Sequence, residues 1–117
     1  ALVKPLPWAR RTLAKLRKKH KLVLLTNSVD YVADEKLKRT KLRKYFARVF
    51  TLDSAGFKGE RQTFENVLRA VRAKPSDCIF FTDVSFEAKV ARSLGIKTSV
   101  VKSFSKRLPA SLRKMPA

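Results

Sequence analysis

Acidic residues are what this chain most lacks. Nine Asp and Glu stand against 28 Lys and Arg in 117 residues, a formal charge of +19. Self-repulsion on that scale opposes a compact state unless a polyanion is usually near, and nucleic acid is the commonest one. Heat-stable proteins also carry basic surfaces, but they balance Lys and Arg with Glu. This chain does not. The single cysteine, Cys78, excludes a disulfide framework. It falls inside an apolar run, which fits a buried thiol in the cytoplasm or another reducing compartment. No apolar run approaches a membrane span, and Pro5 and Pro7 interrupt the N-terminus before a signal-peptide core forms. A Gly-rich phosphate loop, a zinc-type Cys/His spacing and a Ser-His-Asp set are all missing, and the lone His20 reads as a helix-end residue.

What remains is the composition of one folded domain. Apolar residues make up 44% of the chain, enough for one core at this length and too little for two. There is no repeat and no low-complexity segment. Pro7 suits the first turn of a helix, and Trp8, Ala9, Leu13 and Leu16 then recur at helical spacing. Arg10, Arg11, Lys15, Arg17, Lys18 and Lys19 give that helix a purely basic outer face.

Lys21 to Ser28 reads as a buried strand ending in Thr26, Asn27 and Ser28, with Asn27 or Ser28 placed to cap the next helix. Val29, Val32, Ala33 and Leu37 carry that helix, with Asp30, Asp34 and Glu35 in its first turns, where the macrodipole favours acids. Tyr45 and Phe46 look like core anchors ahead of a strand over 49–53. After the loop 54–59, Phe64, Val67, Leu68 and Val71 give the cleanest amphipathic helix in the chain. Cys78-Ile79-Phe80-Phe81-Thr82-Asp83 reads as a buried parallel strand heading into an acid. Phe86, Val90, Ala91 and Leu94 form a last helix closed by Gly95, and a final strand spans 96–101. The tail from Lys102 carries five basic residues and no acid. The alternation α β α β α β α β predicts a parallel sheet with helices on both faces, over 1–101, followed by the basic tail 102–117.

Ligands of such sheets sit beyond the carboxyl ends of the strands. Three of those ends carry distinctive residues: Leu22-Val23-Leu24-Leu25-Thr26-Asn27-Ser28, then Phe57-Lys58-Gly59, then Ile79-Phe80-Phe81-Thr82-Asp83 through Glu87. In this order and spacing they resemble the second, third and fourth motifs of the haloacid dehalogenase-like (HAD) hydrolases. Two positions depart from the common form: Gly59 stands where Pro is usual, and Thr82 where Gly is usual. The resemblance implies a three-layer α/β/α Rossmannoid parallel sheet. It further implies that Thr26 and Lys58 grip a substrate phosphoryl group, that Asp83 holds Mg²⁺, and that Glu87 completes or steadies the metal's shell. The plain alternatives are a strand-end cap for Thr26, a solvated loop charge for Lys58 and a helix N-terminal acid pair for Asp83 and Glu87.

A larger departure concerns what precedes these motifs. The family's first motif is Asp-x-Asp at the end of a central strand, and its first Asp is the nucleophile. No Asp-x-Asp occurs in this chain, and Ala1-Leu2-Val3 runs straight into Lys4 and Pro5. The strand missing from the sheet would lie between those bearing Thr26 and Asp83. Either these two close ranks, another chain supplies the strand, or it lies outside this sequence.

Two functional expectations follow. Charge favours a non-catalytic HAD-like domain binding RNA as a component of a ribosome-like ribonucleoprotein particle. Its contacts would come from Arg10, Arg11, Lys15, Lys18, Lys19, Lys38, Arg39, Lys41, Arg43 and Lys44, and from Lys106, Arg107, Arg113 and Lys114 in the tail. Phe104 and the tail arginines would stack on bases. The motifs favour instead a Mg²⁺-dependent phosphohydrolase whose nucleophile-bearing strand lies elsewhere. Neither expectation involves a membrane.

Overall fold

The computed structural model of the chain describes residues 9–101. Four α-helices alternate with four short strands: α1 (Ala9–Arg17), β1 (Val23–Leu25), α2 (Asp30–Thr40), β2 (Arg48–Phe50), α3 (Arg61–Val71), β3 (Ile79–Thr82), α4 (Ser85–Ser93) and β4 (Lys97–Val100). Single 3₁₀ turns at Arg43–Tyr45 and Pro75–Asp77 lead into β2 and β3. The expected alternation is therefore present, with strands shorter than the apolar runs that mark them. Trp8 and everything before it lie outside the described residues, as does the basic tail with Phe104, Lys106, Arg107, Arg113 and Lys114. No described helix is long and apolar enough to cross a membrane.

The strands do not form one sheet. β1 pairs in parallel with β2, Val23 opposite Arg48 and Leu25 opposite Phe50. β3 pairs in parallel with β4, Ile79 opposite Lys97 and Thr82 opposite Val100. β1 and β3 are not hydrogen-bonded to each other, so the strands flanking the missing position have not closed ranks. Main-chain groups alternate direction along a strand. Thr26 N–H donates to Phe50 O, and Val101 N–H to Thr82 O, which fixes the even-numbered residues as those facing β2 and β4. Val23, Leu25, Ile79 and Phe81 accordingly turn their N–H and C=O groups to the opposite edges. There they meet no partner among the described residues.

Both pairs are nevertheless parts of one core. Phe64, Ala91 and Ile96 form its buried centre, with Leu25 of β1 and Phe80 of β3 packed against it. The Phe64 and Phe80 rings meet edge to face at 5.1 Å between centroids. Ala88 and Ala91 have no exposed surface, so these small side chains let α4 lie close on β3 and β4. Phe64, singled out by its helical spacing, thus sits in the core that both strand pairs share.

Helix ends show how the chain copes with only three glycines. Gly95, at φ +87°, follows α4 as expected, but α2 and α3 end on Lys41 and Arg72, at φ 59° and 56°. A left-handed backbone costs a residue with a side chain about 1 kcal/mol that glycine does not pay. The start of α2 corrects the expected cap. Neither Asn27 nor Ser28 caps it; the helix begins after Val29 with no cap from its own side chain. Asp53, beyond β2, accepts the Asp30 N–H at 2.8 Å instead, and Thr51 donates its hydroxyl to the Asp30 carboxylate.

Cys78 is half-buried rather than sealed in the core, and its thiol donates to Lys74 O at 3.4 Å. Burial, and secondarily the Asp77 carboxylate, push the thiol up from its ordinary range. Thiolate is the reactive form, so iodoacetamide at pH 8 should alkylate Cys78 more slowly in the folded protein than in urea. Equal rates would contradict that environment. Arg72→Gly should raise stability by about 1 kcal/mol, or Tm by roughly 4–8 °C, in a thermal melt.

Candidate functional site

The carboxyl ends of β1 and β3 are tied together by one loop and one ion pair. Gly56 opens the loop at φ +108°, with the Thr63 Oγ1 only 2.8 Å from where a Cβ would stand, so only glycine fits there. Thr63 is buried and donates its hydroxyl to Phe57 O at 2.6 Å, fixing the loop to the first turn of α3. On the other side, Asn27 Oδ1 accepts the Lys58 N–H at 2.8 Å, fixing the loop to β1. Lys58 is held from both ends.

Its side chain runs to α4. Lys58 Nζ lies 3.3 Å from Glu87 Oε1, with the two side chains only 19% and 7% exposed. Glu87 also accepts the Thr82 hydroxyl at 2.8 Å, and Thr82 Oγ1 in turn accepts the Val84 N–H at 3.1 Å. Thr82 therefore has a local reason for standing where the family usually has Gly: it caps the turn into α4 and shares the Glu87 carboxylate with Lys58. Gly59 has one as well. A Cβ there would stand 2.3 Å from the Phe57 ring and 3.2 Å from the Phe86 ring, in space the usual Pro would need. Phe57 and Phe86 are half or more exposed beside the site.

Thr26 follows β1 and accepts the Ser28 N–H at 3.2 Å on its hydroxyl oxygen. Its hydroxyl proton has no acceptor among the described residues and can donate to an incoming anion. Asp83 follows β3, is exposed, and makes no hydrogen bond or ion pair among the described residues. The four side chains singled out in the sequence thus gather at one end of the molecule. Asn27, Thr82 and Thr63 are the positioning groups that sequence reasoning missed; all three stand inside or beside the quoted motifs, but nothing in residue type alone reveals their partners.

The four do not make a metal site unaided. Among the described residues, no three His, Cys, Asp or Glu side chains converge as metal ligands. Mg²⁺ is ordinarily held by one or two carboxylates, with water and substrate phosphate oxygens filling six positions. Asp83 fits as one such carboxylate. Glu87, already engaged by Lys58 and Thr82, fits as a group that steadies the site.

The basic residues marked for nucleic acid gather at the other end. Arg10, Arg11 and Lys15 lie on α1, Lys18 and Lys19 just after it, Lys38 and Arg39 in the last turn of α2, and Lys41, Arg43 and Lys44 beyond. Arg10 donates to Thr40 O at 3.1 Å and Arg17 to Lys44 O at 2.7 Å, which joins the two sequence-distant basic stretches. Arg39 is paired with Glu35 at 2.6 Å.

Comparison with known proteins bears on the same frame. The sequence profile of haloacid dehalogenase-like hydrolases matches residues 1–101. Enolase-phosphatase E1 of Saccharomyces cerevisiae is 34% identical over 59 residues, half of this chain but 26% of that protein. A HAD-family enzyme of Bacteroides thetaiotaomicron, solved as a magnesium complex, superposes with a TM-score of 0.84 at 25% identity, over 97% of this chain and 60% of that one. The same enzyme with magnesium and inorganic phosphate gives 0.81 at 26% identity, over 88% and 56%. The chain thus spans about a quarter of the curated relative and little more than half of the solved one.

Removing one partner of a buried ion pair strands the other. Lys58→Met should therefore cost about 3–5 kcal/mol in urea unfolding. Lys58→Met combined with Glu87→Leu should recover much of that loss. A double variant as unstable as the single would contradict the pairing.

Proposed function

The chain belongs to the haloacid dehalogenase-like hydrolases, and on that premise we propose that it is the phosphoryl-gripping part of a Mg²⁺-dependent phosphohydrolase. Its nucleophile would arrive on a strand seated between β1 and β3. One observation carries this reading: among the described residues, the inner edges of β1 and β3, next to Thr26, Lys58 and Asp83, have no strand paired to them. Unpaired main-chain groups inside a core are costly, and parallel strands are normally flanked on both sides. A strand in that interval would satisfy Leu25 on one side and Phe81 on the other, and would end at the site.

The residues present suit the task. Lys58, held through its backbone by Asn27 and through its ammonium by Glu87, puts a fixed positive charge where equatorial phosphoryl oxygens develop charge. The Thr26 hydroxyl donates to the same oxygens. Asp83 would hold Mg²⁺, which, when bound, neutralises phosphoryl charge and orients the group for in-line attack. What the chain lacks is the attacking carboxylate, since no Asp-x-Asp occurs in it. Covalent phosphoryl transfer therefore needs the added strand. The enolase-phosphatase and the magnesium- and phosphate-bound enzyme support this reading. The alternative of a non-catalytic ribonucleoprotein component finds no support in the relatives described above.

The test supplies the strand. An apolar segment ending in Asp-x-Asp, fused ahead of Ala1 through a flexible linker, should confer Mg²⁺-dependent turnover of p-nitrophenyl phosphate. Asp83→Asn or Lys58→Ala should cut that turnover by about 10²-fold or more. The 117-residue chain alone should be inactive. A fused protein that melts higher yet shows no Mg²⁺-dependent turnover would overturn the proposal.

A further inference from the structure

A second basic feature lies at the opposite pole and takes no part in the proposed chemistry. Residues 19–22 lead into the amino end of β1 and residues 44–47 into the amino end of β2, so this is the far end from Lys58 and Glu87. Between them opens a cleft of about 410 Å³. Arg17, Lys19, Lys21 and Lys44 line it together with His20 and Tyr45, and no acid does.

The cleft is built, not merely decorated with surface lysines. Tyr45 is buried and carries the Arg17 guanidinium and the Lys44 ammonium over its ring, each 5.4 Å from the centroid. Arg17 is further fixed by its 2.7 Å bond to Lys44 O. A guanidinium held in place loses little freedom when it meets a phosphate, and its planar fork suits phosphate oxygens.

We propose that this cleft is a docking site for RNA that seats an unpaired nucleotide, with its backbone phosphates held by Arg17, Lys19, Lys21 and Lys44. Two features favour a polymer of this kind. The cations continue past the cleft along α1, through Arg10, Arg11 and Lys15, farther than one free phosphate needs. The site is also concave, which suits a nucleotide splayed from a loop or bulge; such nucleotides are what RNA-binding proteins read. A blunt DNA duplex offers none. The inference is independent of the phosphohydrolase reading, since it uses none of Thr26, Lys58, Asp83 or Glu87.

The test must separate a site from the pull of +19 charges. Fluorescence anisotropy with a labelled RNA hairpin bearing an unpaired loop is measured across a salt series. Lys19→Gln/Lys44→Gln is compared with the charge-matched Arg69→Gln/Lys89→Gln on α3 and α4. The cleft variant should weaken RNA binding and flatten the salt slope by about 2, one unit per lost phosphate contact, while the matched variant leaves the slope nearly unchanged. Lys19→Gln/Lys21→Gln repeats the comparison without touching the Tyr45 ring. Equal effects from both faces would overturn the proposal. So would a blunt DNA duplex binding as tightly as the hairpin, or saturating pyrophosphate occupying the cleft without displacing the RNA.

Discussion

The contact between the Lys58 ammonium and the Glu87 carboxylate is the one on which the functional end of this protein depends. It reaches from the loop after β2 to the first turn of α4, and so crosses from one strand pair to the other. Desolvation makes such a pair expensive unless further hydrogen bonds complete it. Here Thr82 supplies one to the carboxylate, and Asn27 fixes the lysine's backbone. A lysine held this way is not free to wander as a loop charge. An anion entering the site meets it already in position, and the ordering entropy has been spent in folding.

The two departures from the family pattern make sense at the same place. Thr82 adds a hydroxyl that both caps the turn into α4 and shares Glu87 with Lys58. Gly59 vacates the space into which the Phe57 ring folds, beside Phe86. Neither substitution loosens the site. One adds a hydrogen bond to it, and the other leaves room for the Phe57 ring.

Much of this was legible in the sequence, for reasons that differ by residue. The alternation of helices and strands follows from apolar runs and from the Phe64, Val67, Leu68, Val71 spacing, both local signals. The gathering of Thr26, Lys58, Asp83 and Glu87 at one end follows from their shared place after strands. The cap of α2 was misread because its acceptor, Asp53, comes from 23 residues away. Neighbouring Asn27 looked equally suitable but is spent on Lys58. The basic cleft was invisible because it needs two stretches to meet through Arg17, Lys44 and Tyr45, and residue type alone does not reveal that meeting.

The division into two strand pairs is what ties the fold to the proposed chemistry. The inner edges of β1 and β3 meet no partner among the described residues, in a core that is otherwise well packed around Phe64 and Ala91, and Thr26, Lys58 and Asp83 stand at the end of that interval. Amide hydrogen exchange at Leu25 and Phe81 tests this most directly, measured before and after the Asp-x-Asp strand is attached. Both amides should exchange rapidly in the 117-residue chain and become protected, together, once the strand is present. Amides already protected in the chain alone, or unchanged by the added strand, would contradict it.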